Sequence, residues 1–171
     1  MSKRRLGFVV AALLVVGGAV GGNLALRGAE ADSGVITLTS FQETPALVTS
    51  GFGQAIVTID DSSQTITFGL RWSGLTGPPL FAHIHIGQTG VAGGVSAFLC
   101  GGSTKPACPQ ATSGQIQGTI VPADVIGPSG QGVSAGEWSK LVQAIRSGNT
   151  YANMHTPQFP SGEIRGQISV H

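Results

Sequence analysis

Short runs of alternating apolar and polar residues, punctuated by glycine, proline and aspartate, recur through most of the chain. Eight of them read as strands: Val35–Ser40, Gln54–Ile59, Thr65–Arg71, Ala82–Ile86, Val95–Leu99, Gly114–Ile120, Tyr151–His155 and Ile164–Val170. Alternation over about four to eight residues marks a half-buried strand, because successive side chains leave a strand on opposite faces. In the second run, Ile56 and Thr58 against Val57 and Ile59 predict a strand partly covered on both sides. Turn chemistry separates the runs at Asp60-Asp61-Ser62-Ser63, Gly74 to Pro79 and Gly87 to Gly94. Pro122–Gly132 is rich in Gly and Pro without periodicity and reads as an irregular loop. Eight short strands at this spacing predict an all-β sandwich or barrel.

One stretch has helical spacing instead. Trp138, Leu141, Val142 and Ile145 recur on one helical face, Ser134 and Glu137 have the spacing of a capping box, and Gly148 is a natural stop. The apolar stripe predicts a short helix packed over an edge or end of the β-structure.

The N-terminus follows a different pattern. Basic Met1-Ser2-Lys3-Arg4-Arg5 precedes an apolar run from Leu6 to Leu26 broken only by Asn23, and Ala29-Glu30-Ala31 offers a small-x-small cleavage site. Residues 1–31 therefore read as a signal peptide or an uncleaved N-terminal membrane anchor, with a single domain over 32–171. Either way the domain lies outside the cytoplasm, secreted or held on the outer side of the cytoplasmic membrane. Without Lys3, Arg4, Arg5 and Arg27, five basic residues face eight acidic ones, a net charge of −3 with Glu30 counted. No basic stripe exists, so nucleic acid is not an expected partner. The expected partner is an extracellular protein or a component of the cell envelope, with membrane contact only through the N-terminal segment. Cys100 and Cys108 bracket a Gly-rich stretch, and an even cysteine count in an exported chain favours a loop disulfide. Their spacing is not a usual zinc spacing.

Candidate chemistry concentrates on histidine. His83 and His85 share one face of their strand while Ile84 and Ile86 take the other. Tyr151, Asn153 and His155 share a face of theirs. If the two strands are neighbours, three imidazoles converge, and neutral imidazole is a ligand suited to copper and zinc. The competing reading is that these histidines only brace loops. Glu163, Arg165, Gln167 and Ser169 alternate with Ile164 and Ile168, so pairing of the last two strands would bring Glu163 beside His155, where a carboxylate could orient the ring. A Glu163–Arg165 ion pair is the alternative. Other enzyme chemistry finds little footing: no phosphate loop and no Gly-x-Ser-x-Gly nucleophile elbow is read, and Asp60-Asp61 are turn formers.

Ala82-His83-Ile84-His85-Ile86-Gly87 with Gly90 and Gly93, then Gly148-Asn149-Thr150-Tyr151-Ala152-Asn153-Met154-His155-Thr156 and Pro160-Ser161-Gly162-Glu163-Ile164-Arg165-Gly166-Gln167-Ile168, carry a resemblance. With Glu43-Thr44-Pro45 they make the chain from about Val35 onward similar to the CHRD family, first described in chordin and widespread in exported bacterial proteins. The family has Val or Ile where this chain has Ala152 and Met154. The resemblance implies an immunoglobulin-like, superoxide-dismutase-like Greek-key β-sandwich with no assigned general activity. Carried to the copper/zinc dismutase pattern, His83 and His85 match its strand H-x-H copper ligands and His155 its late copper histidine. No histidine can bridge two metals, the zinc-binding cluster is missing, and Cys100 and Cys108 have no counterpart in the dismutase's intersheet disulfide. The resemblance therefore implies at most a single-metal site.

The leading expectation is a non-enzymatic module with a copper site at His83, His85 and His155, supported by Asn153, Glu163 or Arg165. A dismutase-like copper redox enzyme and a metal-free adhesion or scaffold module are the alternatives.

Overall fold

A computed structural model describes residues 32–171; the expected leader lies outside them. Eight strands form: β1 (Asp32–Thr39), β2 (Phe52–Asp60), β3 (Thr65–Ser73), β4 (Phe81–Ile86), β5 (Gly94–Cys100), β6 (Gly114–Ile120), β7 (Thr150–His155) and β8 (Ile164–Gln167). Each coincides with one of the eight alternating runs. The last strand ends earlier than the alternation suggests, but the tail stays beside β1, where Ser33 and His171 exchange backbone hydrogen bonds of 3.2 and 3.0 Å.

All eight strands belong to one antiparallel sheet in the order β5-β4-β7-β8-β1-β2-β3-β6. The out-of-sequence neighbours β4–β7 and β3–β6 come from crossing connections of the Greek-key kind. The end strands β5 and β6 share no ladder, yet their backbones approach within 8 Å, so the sheet curls almost into a barrel. The fold is thus all-β with one α-helix among the described residues, its two layers being parts of one continuous sheet.

Inward positions fill the core: Ile36 and Leu38, Ala55, Val57 and Ile59, Ile66, Phe68 and Leu70, Ala82 and Ile84, Ala152 and Met154, Ile164 and Ile168. The outer face of β2 is covered only in part: Gln54 and Thr58 are half-buried, while Phe52 and Ile56 are exposed. Ile56 is 52% exposed and its register partner Val35 on β1 is 65% exposed, because nothing covers these two side chains on the outer face.

The helix α1 (Trp138–Arg146) buries Trp138, Leu141, Val142 and Ile145 as its spacing predicts. Its capping box is only half made: the Glu137 carboxylate accepts the Ser134 N–H at 2.7 Å, but the helix starts at Trp138. At the other end Gly148, at φ +69°, donates to Ile145 O and Asn149 donates to Ala144 O, a Schellman stop that turns the chain into β7. Arg146 ties this end to Asp32 at the start of β1 and to Asp61 in the β2–β3 turn.

Cys100, the last residue of β5, is joined to Cys108 in a disulfide. Within that loop Lys105 donates to Thr119 O of β6 at 2.8 Å and pairs with Asp124 at 2.6 Å. The stapled loop therefore bridges the two edge strands where their ladder is missing. Pro122–Gly132 is irregular apart from two single 3-10 turns.

Candidate metal centre

The register of three strands assembles the site. In the β4–β7 ladder Phe81 lies opposite His155, His83 opposite Asn153, and His85 opposite Tyr151. In the β7–β8 ladder Asn153 lies opposite Arg165 and Tyr151 opposite Gln167. Residues directly opposite in a ladder share a face, so the histidines occupy the side of the sheet away from Ala82, Ile84, Ala152 and Met154. This outer side is nonetheless covered, and His83, His85 and His155 are only 6–7% exposed.

The covering groups are aromatic rings and loop carbonyls. Phe98 of β5 meets the His83 ring edge-on at 4.5 Å, and Phe81 stacks on it at 5.7 Å. Tyr151 stacks on His85 with centroids 4.7 Å apart, and the Arg165 guanidinium lies 3.4 Å from the Tyr151 centroid on a further layer. Arg165 also donates to Gln88 O at 2.8 Å and Val91 O at 3.0 Å, pinning the loop after β4 over the cluster.

Those loops set the tautomers. His85 Nδ1 lies 2.9 Å from Gly93 O and His155 Nδ1 lies 3.0 Å from Pro160 O. A carbonyl oxygen only accepts, so each Nδ1 carries the proton and each Nε2 of the neutral ring presents a lone pair. His83 Nδ1 donates to His155 Nε2 at 3.0 Å. The Nε2 atoms of His83 and His85 are buried with no hydrogen-bond partner. One nitrogen from each ring lies within 4.8 Å of the others.

Burial keeps these rings neutral. It pushes His83 down to about 3, helped by the neighbouring His155 and His85. It pushes His85 down to about 4 against the Gly93 carbonyl, which pulls the other way, and it holds His155 below its ordinary range as well. Neutral imidazole is the form that ligates a metal ion. A carbonyl fixing the far N–H is the usual support of a ligating histidine. Two buried lone pairs without partners would each cost free energy in a purely structural cluster. On donor type, tautomer and spacing, the three rings fit one transition-metal ion.

The supporting residues divide. Asn153 is 2% exposed with Oδ1 2.9 Å from His155 Nε2. Pairing does bring the Glu163 backbone next to His155, its N–H donating to Met154 O at 2.7 Å. Its carboxylate turns away, accepting from Thr76 N–H at 2.9 Å and from the Thr76 and Thr156 hydroxyls at 2.7 Å each. Alternation does not reach it, because β8 begins only at Ile164. Glu163 and Arg165 form no ion pair; Arg165 acts through Tyr151 and the loop carbonyls.

Glu43 is the participant that sequence reasoning passed over, although its segment carries part of the family resemblance. Burial raises its carboxyl to about 7, against the opposing pull of Arg165, the Thr44 N–H and the Asn153 amide. Tyr151 was legible by its place in the alternation with Asn153 and His155. The letters Gly132-Val133-Ser134-Ala135-Gly136 do spell Gly-x-Ser-x-Gly. They precede α1 without following a strand, so they are not the strand-to-helix elbow that nucleophile chemistry requires.

The CHRD-domain family model matches residues 35–168, and the chain belongs to that family. The match contains every residue of the histidine cluster and its cover. No curated protein matches the chain. No solved structure matches it either.

Proposed function

We propose that this protein is an exported, non-enzymatic CHRD module that holds one transition-metal ion, copper first, on His83, His85 and His155. The observation that carries the reading is the pair of loop carbonyls, Gly93 O and Pro160 O, that take the Nδ1 protons of His85 and His155. They leave Nε2 lone pairs buried beside a third imidazole. Affinity of nitrogen sites for divalent first-row metals peaks at copper, which places it ahead of zinc. Copper held there would supply one-electron redox capacity. The chain's own residues supply enclosure: Phe81, Phe98, Tyr151 and the Gln88–Val91 loop keep the rings almost out of water. Such enclosure favours holding an ion over turning over a diffusing substrate. Export rests on the basic and apolar pattern of residues 1–31 and agrees with a disulfide-bonded domain.

The test is a copper titration of the chelator-stripped full chain and of His83→Ala, His85→Ala and His155→Ala, with the exposed His171→Ala as control. Each cluster variant weakens binding by about tenfold or more, and the control does not. Unchanged affinity in all three cluster variants contradicts the reading.

A further inference from the structure

Asn153 stands within the cluster, and one of its contacts needs an explanation. Its Oδ1 lies 2.9 Å from His155 Nε2, the nitrogen that also lies 3.0 Å from His83 Nδ1. Because Pro160 O takes the Nδ1 proton, Nε2 of the neutral ring bears a lone pair, and an amide oxygen brings only lone pairs. Two acceptors at this distance repel unless a proton or a cation serves both.

Turning the amide over would present Nδ2–H to His155 and remove the conflict. Glu43 opposes that turn. Its Oε1 is buried without a hydrogen-bond partner, and it crowds against Gly162 together with Asn153 Nδ2. A β-carbon on Gly162 would meet the two atoms at 2.5 and 2.7 Å. A turned amide would set its oxygen against the ionised form of that carboxyl. Gly162, at φ +129° and without a side chain, leaves room for the pair.

Resting on the metal reading above, we propose that Asn153 Oδ1 is the fourth donor to the ion and that Glu43 is the positioning residue that keeps this oxygen turned inward. Donor atoms about 2.0–2.1 Å from one ion lie roughly 3 Å apart, which is the spacing of Asn153 Oδ1 from His155 Nε2. An amide oxygen is a harder donor than imidazole. Its presence therefore favours a divalent ion over cuprous copper.

The test uses the full chain stripped with chelator and loaded with Cu(II) or Cu(I), comparing wild type with Asn153→Leu, Asn153→Asp and Glu43→Gln. Asn153→Leu, similar in shape but without a donor, weakens Cu(II) binding by about tenfold to a hundredfold. It leaves Cu(I) binding unchanged and alters the Cu(II) hyperfine splitting. Asn153→Asp restores Cu(II) binding, and Glu43→Gln falls between the two. If Asn153→Leu binds Cu(II) as wild type does, with an unchanged spectrum, the fourth donor is overturned while the three-histidine site stands. If the three histidine variants bind copper as wild type does, both fall. Should Asn153→Leu fail to fold, the side-chain carbonyl resonance of Asn153 in zinc-loaded wild type decides: a shift on loading supports the assignment, and none overturns it.

Discussion

His83 and His155, 72 residues apart, meet with Nδ1 and Nε2 at 3.0 Å across the β4–β7 ladder. The contact depends on register. A slip of one residue would send His155 to the core side and bring Met154 out. The buried apolar set Ala82, Ile84, Ala152 and Met154 fixes that register, so the packing of one face positions the chemistry of the other.

Buried neutral histidines make the metal-free chain sensitive to acid. Their folded-state values are depressed, to about 3 for His83 and about 4 for His85, so below pH 6.5 the unfolded chain binds more protons. Stability on their account is complete above pH 6.5 and falls as pH drops toward those values. Glu43, raised to about 7, acts in the opposite sense between pH 4.5 and 7 and offsets part of the loss. Urea unfolding of the stripped chain between pH 4.5 and 6.5 should show stability rising with pH, by on the order of 1 kcal/mol per pH unit. His83→Gln should flatten the slope.

Glu163 separates structure from site. Its carboxylate gathers Thr76 and Thr156 and makes no hydrogen bond to the three rings. Glu163→Gln replaces an acceptor with a donor facing other donors and should lower stability by about 1–3 kcal/mol. Copper affinity of the folded variant should match wild type. A large loss of affinity would place Glu163 in the site after all.

Replacing both cysteines, Cys100→Ser with Cys108→Ser, releases the loop that carries Lys105 to the β6 edge. Denaturant unfolding should show a loss of about 2 kcal/mol, the scale for a short closed loop. Copper binding should persist, because the loop carries none of the carbonyls that fix the histidine tautomers.

Much of this was readable in the chain because a strand's period of two is a local property. It put His83 with His85, and Tyr151 with Asn153 and His155, on common faces without any knowledge of pairing. The pairing itself was not local. Nothing in Phe81–Ile86 says that, beside the next strand in sequence, its other neighbour is Thr150–His155. Burial of the cluster was hidden for the same reason, since its cover comes from Phe98, Pro160 and the loop pinned by Arg165. Glu163 lies one residue before β8, where strand alternation no longer sets the side chain's direction, and its carboxylate turns to Thr76 and Thr156. Glu43 lies 110 residues from Asn153 in sequence, and no local pattern links them.

The most direct measurement is pulsed electron paramagnetic resonance of the Cu(II)-loaded full chain, counting the imidazoles coupled to the ion. Three should appear in wild type and two in His85→Ala, with His171→Ala identical to wild type. A wild-type signal from one imidazole or none, or one that His83→Ala, His85→Ala and His155→Ala all leave unchanged, would contradict a metal centre on this face.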